Sequence, residues 1–292
     1  MNDVIVIGAG PAGISAATYA KRAGLDITVI HSGIGALKNA TRIENYYGFP
    51  DVISGTELYE NGLSNARRLG IHIIEDEVMG LLMNDAMTGF VVSSGKEKYE
   101  AHAVVLATGA SHKSPQIKNL ADLEGRGVSH CAVCDAFFYR QKVVAVIGAG
   151  EYALSEAAAL SHVAQKVILL TNGETPAQSL PPEYETHAEK ISSIIGSDRV
   201  NGVRLANGKE IELSGIFVAI GTAGSTELAR KVGALIQNNS IKTDNEMATN
   251  VPGLFAAGDA TGGLLQISKA AYEGTQAGLS VVKYIRNRFT KG

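Results

Sequence analysis

Two copies of one pattern constrain the fold of this chain more than any other feature: a short apolar strand, a glycine-rich turn and a helix. The first copy has the apolar residues 4–7, the turn Gly8–Gly13 and a helix that ends at Gly24. The second has the apolar residues 143–147 and a turn that starts at Gly148. Units of this kind are typical of nucleotide-binding domains with a parallel sheet. The two copies therefore indicate two domains of the α/β class.

The first turn has the glycine spacing that binds a pyrophosphate. Gly8 permits the tight turn, Gly10 lets the backbone approach the phosphates, and Gly13 lets the helix pack closely on the strand. Free N–H groups at the start of the helix, where Pro11 and Ala12 lie, attract the phosphate charge. The turn therefore predicts a dinucleotide site, and an incidental glycine-rich turn is the alternative.

A second candidate site lies near the C-terminus, where Gly258 and Asp259 close an apolar strand. An aspartate at this point could accept a hydrogen bond from a ribityl hydroxyl of a flavin. It could equally cap a helix, because aspartate is a preferred residue in front of one. A long helical stretch follows, from about Gln266 to Arg288.

The two cysteines of the chain are Cys131 and Cys134. An offset of three residues can bring their sulfurs into bonding range, so the pair can cycle between dithiol and disulfide. Zinc would need two more ligands, and the sequence has no second cysteine pair to supply them. Asp135 could donate or accept the proton as a thiolate forms. His130 could lower the pKa of a thiol, and a loop histidine without a role is the alternative.

Composition excludes several classes of function. The chain has 26 Lys and Arg against 29 Asp and Glu, a net charge of −3, which does not indicate binding to nucleic acid or to a membrane surface. No apolar run approaches the roughly 18 residues that span a bilayer. The N-terminal segment has no basic stretch in front of its apolar residues, unlike a signal peptide. We therefore expect a cytoplasmic protein.

The motifs resemble, in order and spacing, those of the low-molecular-weight thioredoxin reductases over essentially the whole chain. The resemblance is carried by the two glycine turns and by three further segments: residues 107–109, 131–140 and 253–259. It implies two Rossmann-like three-layer nucleotide-binding domains. One is an FAD domain of two segments, residues 1–111 and 241–292. The other is a central domain, residues 112–240, with the redox-active CxxC pair on a degenerate NAD(P)H-type fold.

The resemblance also implies roles for individual residues, a homodimer and thioredoxin as substrate. Cys134 falls at the thiol nearest the flavin, Cys131 at the thiol that attacks thioredoxin, and Asp135 at the acid. No metal is expected. His31 stands where many dinucleotide domains carry an acid. By position, the residues expected to bind FAD are Gly8, Gly10, Pro11, Ala12, Gly13, His31, Asn45, Thr108, Gly109, Gly258, Asp259, Gln266 and Ile267.

The chain departs from this family where NADPH would bind. Members that use NADPH have a basic run, His-Arg-Arg followed by another Arg, after the second strand of the central domain. Here residues 170–176 read LTNGETP, and no arginine lies between residues 153 and 195. Thr171 stands where an acid would bind an NAD ribose, although Glu174 is close. Tyr152 occupies a small-residue position, and its ring could fill the space that a pyrophosphate needs. Alternatively, Tyr152 points away and Glu174 serves NADH.

These losses are similar to those of the ferredoxin-dependent flavin thioredoxin reductases, as is the segment 264–270. The sequence therefore favours reduced ferredoxin over NADPH as the electron donor. Three alternatives remain: an NADH- or NADPH-dependent thioredoxin reductase with atypical nucleotide contacts, an FAD-dependent dithiol oxidase that uses oxygen, and a non-catalytic flavin-binding partner protein. We expect the central domain to rotate, with hinges near residues 110–115 and 238–242. Candidate basic residues for docking an acidic ferredoxin are Arg67, Arg68, Lys283, Arg286, Arg288 and Lys291.

Overall fold

A computed structural model of the chain describes residues 1–109, 115–130, 132–176, 180–220 and 224–289. The side chains of Val133 and Cys134 are outside this description, as is the whole of Cys131. Most of the hinge expected at residues 110–115, and Lys291, also lie outside the described residues. Contacts divide the chain into two units, residues 1–111 with 224–292 and residues 112–223. Each unit is described by itself.

The elements of the described residues are as follows. The strands are β1 (Asn2–Ile7), β2 (Ile27–His31), β3 (His72–Glu75), β4 (Val78–Met83), β5 (Phe90–Ser94), β6 (Lys98–Leu106), β7 (Val128–Ser129), β8 (Val143–Ile147), β9 (Lys166–Leu170), β10 (Glu185–His187), β11 (Ile191–Ile195), β12 (Gly202–Leu205), β13 (Glu210–Glu212), β14 (Gly215–Val218), β15 (Ile236–Gln237), β16 (Ser240–Ile241) and β17 (Leu254–Ala256). The α-helices are α1 (Pro11–Arg22), α2 (Gly55–Arg68), α3 (Ala132–Asp135), α4 (Glu151–Ser161), α5 (Ser225–Lys231) and α6 (Ile267–Phe289). Four 3₁₀ helices span Gly35–Asn39, Ala121–Leu123, Ala136–Tyr139 and Gly258–Thr261.

The first unit is built on a sheet in the order β3-β2-β1-β6-β5-β4, and β17 pairs with β6 as well. β1, β2, β3, β6 and β17 run parallel, whereas β4 and β5 form an antiparallel extension. The apolar run of β1 is fully buried, as strands covered on both faces are. α1 packs directly on α6, because a Cβ at Gly274 would lie only 2.0 Å from the carbonyl oxygen of Ala12. This close contact fixes the helix that follows the first glycine turn.

The second unit has a parallel sheet in the order β10-β9-β8-β14-β7 and an antiparallel sheet in the order β11-β12-β13. α4 follows β8 and packs on β8 and β9. Between β9 and β10, the described residues 171–176 and 180–184 contain no helix, although a parallel connection is usually crossed by one. The α/β class with Rossmann-like parallel sheets, predicted from the two glycine turns, is confirmed.

Residues 224–240, which the sequence assigned to the central domain, group with the first unit in this division. α5 packs on β4, and the Nζ of Lys231 donates a hydrogen bond to the carbonyl oxygen of Met79 at 3.1 Å. The side chain of Asn250 binds the backbone of Gly233 and Leu235. These contacts group residues 224–240 with the first unit, and the domain boundary expected at residue 241 stays a prediction. No helix of the described residues is long and apolar enough to cross a membrane.

Candidate functional site

The first glycine turn has one crowded side and one open side. Gly8, with a φ of +110°, lies so close to the end of β6 that a Cβ would be 2.3 Å from the carbonyl oxygen of Ala107. A Cβ at Gly13 would be 1.9 Å from the carbonyl oxygen of Gly8. By contrast, a Cβ at Gly10 would meet nothing within 4 Å. Gly10 precedes α1, so the open side of the turn faces the N–H groups of the first helical turn, the arrangement that accommodates a pyrophosphate.

Predicted residues from four strands meet at the carboxyl edge of the first sheet. Gly8 follows β1, His31 ends β2, Thr108 comes after β6, and Gly258 comes after β17. Ligands of parallel α/β sheets bind at this edge. The hydroxyl of Thr108 hydrogen-bonds that of the fully buried Ser225 at 2.5 Å. Ser225 also lies 3.4 Å from the carbonyl oxygen of Gly109, and the sequence analysis did not single it out.

Asn45 and Gln266 are brought together although they are 221 positions apart in the chain. The side-chain amide of Asn45 donates a hydrogen bond to the Oε1 of Gln266 at 3.1 Å. Gln266 directly precedes Ile267, the first residue of α6. Both amide side chains are exposed at the edge of the unit and are available for a polar ligand.

The loop that carries Asp259 is held from α6 by an ion pair. The Nζ of Lys269 donates to the carbonyl oxygens of Gly258 at 2.8 Å and Gly262 at 2.6 Å. Glu273, 3.0 Å from that Nζ, accepts the backbone N–H of Gly258 at 2.9 Å. The i, i+4 spacing of Lys269 and Glu273 is the sequence signal that could have identified this support.

Asp259 itself lies inside the 3₁₀ helix Gly258–Thr261, whereas α6 starts at Ile267. It therefore does not cap the long helix, which was the alternative left open by the sequence. Burial raises the pKa of the Asp259 carboxyl, and the neighbouring Lys269 opposes that shift. A carboxyl in this position can accept a hydrogen bond from a ligand hydroxyl.

His31 is held in its neutral form by its surroundings. It is 6% exposed, and its Nδ1 accepts the backbone N–H of Gly33 at 3.2 Å. The hydroxyl of Tyr59 lies 3.0 Å from the same nitrogen and donates to it. Because Nδ1 accepts, the proton of the neutral ring is on Nε2. Burial lowers the pKa of the His31 imidazole. His31 can therefore donate to a ribose hydroxyl, where other dinucleotide domains use an acid as the acceptor.

We expect the apoprotein to lose stability as the pH falls below about 6.5, the ordinary pKa of histidine. Unfolded His31 takes up a proton there and folded His31 resists it, so the free energy of unfolding falls with pH between the two pKa values. His31→Asn should show a weaker pH dependence in urea unfolding. His102, whose pKa is also lowered by burial, remains in both proteins, so the difference isolates His31. The same pH dependence in both proteins would contradict the assignment.

Four of the predicted docking arginines lie at the C-terminal ends of α2 and α6. Arg67 and Arg68 end α2, and Arg286 and Arg288 lie in the last turn of α6. α6 has 23 residues, which corresponds to a length of about 35 Å. Since Gln266 stands at its start, Arg286 and Arg288 lie roughly 30 Å from the predicted flavin-binding edge. Lys283 is in addition paired with Glu246 at 2.9 Å. Arg286 and Arg288 are therefore poorly placed to bring an electron donor close to the flavin, whereas Arg67 lies close enough to His31 for its charge to help lower the pKa of that imidazole.

In the second unit, the backbone around the cysteine motif is held by polar side chains. Ser129, at the end of β7, donates a hydrogen bond to the Oδ2 of Asp135 at 2.6 Å. The buried Glu156 of α4 accepts the backbone N–H of Ala132 at 2.6 Å. The imidazole of His130 lies 3.0 Å from the carboxylate of Glu124. Asp135 was predicted as the acid from the sequence, whereas Ser129 and Glu156 were not predicted.

The second glycine turn has the same backbone construction as the first, with a different side chain inside it. A Cβ at Gly148 would lie 2.1 Å from the carbonyl oxygen of Ala219, just as a Cβ at Gly8 would lie 2.3 Å from that of Ala107. Tyr152 takes the place of Ala12 and is 1% exposed. Its hydroxyl donates to the carbonyl oxygen of His130 at 3.3 Å, so the side chain is directed to the residues in front of Cys131.

The segment after β9 is hydrogen-bonded to residues of β10 and to the residues that lead into β11. Thr171 is 1% exposed, and its N–H donates to the carbonyl oxygen of His187 at 3.0 Å. The side chain of Asn172 accepts the N–H of Ile191 at 2.7 Å. The N–H of Gly173 donates to the carbonyl oxygen of Ala188. Glu174 is exposed. Backbone and amide groups at the end of this strand are thus used within the protein, whereas the hydroxyl of Thr171 is buried without a hydrogen-bond partner among the described residues.

The chain matches the family described as pyridine nucleotide-disulphide oxidoreductase over residues 2–274. A thioredoxin reductase of Listeria innocua is 35% identical over 97% of this chain and 93% of its own length. The crystal structure of the atypical thioredoxin reductase TRi from Desulfovibrio vulgaris Hildenborough aligns with a TM-score of 0.92 at 38% identity, covering 98% of this chain and 99% of that one. A ferredoxin-flavin thioredoxin reductase from Clostridium acetobutylicum aligns with a TM-score of 0.75 at 33% identity, covering 99% and 98%.

The chain therefore belongs to the pyridine nucleotide-disulphide oxidoreductase family. Within it, the chain is a flavin-dependent oxidoreductase of the thioredoxin reductase type. FAD and a redox-active disulfide are typical of such enzymes. The open side of the glycine turn at Gly10 and the carboxyl of Asp259 fit the pyrophosphate and the ribityl chain of FAD.

Proposed function

We propose that this protein reduces thioredoxin with electrons that it receives from reduced ferredoxin, and that it does not use NADPH. The observation that carries the proposal is the segment 171–176 after β9. The backbone N–H groups of Thr171 and Gly173 and the side chain of Asn172 bind the protein itself, and no arginine is present between residues 153 and 195 to neutralise a 2′-phosphate. Charge-assisted hydrogen bonds between an arginine and a phosphate contribute about 1.5–3 kcal/mol each, or roughly 10- to 150-fold in affinity.

Two further features support reduced ferredoxin as the electron donor. The connection from β9 to β10 has no helix among its described residues, so the unit departs from the usual nucleotide-binding crossover. One of the similar solved structures is described as a ferredoxin-flavin thioredoxin reductase and another as an atypical thioredoxin reductase. The homodimer and the cytoplasmic location expected from the sequence stay predictions.

In the proposed reaction, the first unit binds FAD and the cysteine pair passes electrons to thioredoxin. Bound FAD supplies a centre that can accept single electrons and deliver a pair. The glycine turn, Thr108, Asp259 and the Asn45–Gln266 pair would hold and orient it. The Cys131–Cys134 disulfide accepts two electrons, and Cys131 as a thiolate then attacks the disulfide of thioredoxin to form a mixed disulfide. Cys134 resolves that bond.

Asp135 would transfer the proton in this reaction. Its Oδ2 is held by the hydroxyl of Ser129 at 2.6 Å, which fixes the carboxyl one residue after Cys134. A positioned carboxyl can take a proton from a thiol or return it as the thiolate forms and leaves. Phe137 and Phe138 lie two and three residues after Asp135 and are 74% and 68% exposed. Two exposed aromatic rings beside the redox pair offer an apolar surface to a protein substrate such as thioredoxin.

Anaerobic reduction of the bound flavin tests the donor. NADH, NADPH and chemically reduced ferredoxin are offered separately, and the loss of flavin absorbance is followed in time. We expect rapid bleaching with ferredoxin and none with either nucleotide on the same timescale. Rapid bleaching by NADH or NADPH would overturn the ferredoxin assignment. Oxygen consumption with dithiol substrates, at a rate above thioredoxin reduction, would identify a dithiol oxidase instead.

Lys190 offers a control for the nucleotide result. Its side chain lies against Gly173, where a Cβ would come within 2.9 Å of it, so it is a cation near the place of a 2′-phosphate. If NADPH did bleach the flavin, Lys190→Met should weaken the binding of NADPH and leave the binding of NADH unchanged. With ferredoxin as donor, the same substitution should leave the bleaching rate unaltered.

A further inference from the structure

One face of α4 binds the backbone on both sides of Cys131. The hydroxyl of Tyr152 donates to the carbonyl oxygen of His130 at 3.3 Å. Glu156 accepts the N–H of Ala132 through its Oε2 at 2.6 Å. Tyr152 and Glu156 are four residues apart in a helix, so they lie on the same face. Their side chains are buried, with exposures of 1% and 2%.

The two bonds engage the two peptide groups that adjoin Cys131 in the chain. The carbonyl of His130 belongs to the peptide in front of the cysteine, and the N–H of Ala132 belongs to the peptide after it. Peptide groups are planar and rigid, so a hold on both is an effective way to position a residue between them. Ser129 binds Asp135 at the other end of the motif. The cysteine motif is thus anchored at both ends by polar side chains.

Glu156 also brings a carboxylate next to the redox pair. Burial of a carboxylate is unfavourable unless it accepts hydrogen bonds, and the N–H of Ala132 supplies one. The next residue back along the chain from Ala132 is Cys131. The carboxylate of Glu156 is therefore bonded to the backbone of the residue that directly follows this cysteine in the chain. In a buried position such a charge is screened much less than at the surface.

We propose that Glu156 is a positioning residue that sets the reducing power of the Cys131–Cys134 pair, by holding Ala132 and by placing a negative charge beside the Cys131 thiolate. The inference rests on the proposed function, because it takes the pair to be redox-active. Reduction breaks the S–S bond, adds two electrons from the reduced flavin, and takes up one proton to give a thiol and a thiolate, or two to give two thiols. A nearby negative charge disfavours the thiolate. The reduced pair therefore gives up its electrons more readily to thioredoxin.

Glu156→Gln tests the charge, because the amide oxygen can still accept the N–H of Ala132. In chemically reduced protein, we expect the apparent pKa of the reactive thiol to fall by about one unit, measured by the pH dependence of alkylation. The equilibrium with thioredoxin should shift about tenfold towards reduced enzyme, or about 30 mV for a two-electron couple. The exposed Glu212 of β13 provides the control, and Glu212→Gln should change neither quantity.

Two more variants separate charge from positioning. Glu156→Asp keeps the charge but draws it back by one methylene, so the thiol pKa should fall between the wild-type and glutamine values. Tyr152→Phe removes one backbone bond without changing any charge, and its thiol pKa should stay at the wild-type value. We expect the thiol pKa to be highest in the wild type, lower in Glu156→Asp and lowest in Glu156→Gln, and any other order would overturn the inference. If the glutamine variant does not fold, the wild-type and aspartate proteins still decide the order.

The failure of this inference and the failure of the proposed function have different signatures. The titration uses dithiothreitol-reduced protein, so it does not depend on the physiological electron donor. A wild-type protein that forms no Cys131–Cys134 disulfide would contradict the proposed function. A wild-type protein that forms the disulfide, with variants whose thiols titrate as in the wild type, would contradict the role of Glu156 alone.

Discussion

Cys134→Ser should abolish the reduction of thioredoxin while leaving the bound flavin reducible by its electron donor. Without the second cysteine no disulfide can form, and electrons that reach the flavin have no route to the protein substrate. Turnover should fall by at least roughly a thousandfold, because residues that act as one catalytic unit lose nearly all activity together. Flavin bleaching and thioredoxin reduction, followed in parallel under anaerobic conditions, separate the two steps.

Cys131→Ser should also stop turnover, but the two variants should differ towards thioredoxin. The variant that keeps Cys131 should form a mixed disulfide with oxidised thioredoxin, because its thiolate can attack and no second thiol resolves the bond. The variant that keeps Cys134 should form that adduct much more slowly. Non-reducing electrophoresis detects the adduct. Normal turnover by Cys131→Ser, or adduct formation only by that variant, would overturn the assigned roles.

The glycine turns were predictable from sequence because backbone geometry leaves few alternatives. At Gly8 and Gly148 a Cβ would lie 2.3 Å and 2.1 Å from a carbonyl oxygen of the neighbouring strand. No other residue type fits such a contact, so the local spacing alone carries the information. The parallel sheets then follow from the buried apolar strand that precedes each turn.

Contacts between distant segments could not be derived in this way. Asn45 and Gln266 meet across 221 positions, and only the family resemblance predicted that both bind the same ligand. Ser225 was missed because the resemblance assigned residues up to 240 to the other domain. No local pattern marks the point at which a chain returns to its first sheet, since that point depends on tertiary packing such as that of Lys231 on Met79.

Glu156 is an intermediate case, because its position among apolar residues of α4 indicates that it is buried. Tyr152, Glu156 and Leu160 recur at intervals of four and are all buried on one face of α4. An acid in the middle of an apolar helical stripe is expected to be buried and bonded, since an unpartnered buried carboxylate is strongly unfavourable. What the sequence could not supply is the identity of its partner. The N–H of Ala132 precedes Glu156 by 24 positions and is reached only in the folded unit.

Gly10→Ala should leave the fold intact and weaken the binding of FAD. The backbone of Gly10 is extended, with a φ of −73°, which alanine adopts freely, and the added methyl group would meet no protein atom within 4 Å. The methyl would instead occupy the space that a pyrophosphate needs at the start of α1. Overpacking of that kind costs about 1–3 kcal/mol, roughly 5- to 150-fold in affinity. Flavin fluorescence during titration of the apoprotein measures the change.

Two other glycines show whether the effect comes from the ligand. Gly62, in α2, has room for a methyl group, which would lie 3.8 Å from Ile14. Gly62→Ala should stabilise the apoprotein, as Ala does in a helix, and bind FAD as the wild type does. Gly13→Ala should unfold the turn itself, because its Cβ would lie 1.9 Å from the carbonyl oxygen of Gly8. If Gly10→Ala and Gly62→Ala bound FAD equally well, the open side of the turn would not be the pyrophosphate site. The assignment of FAD to this edge of the sheet would then have to be abandoned.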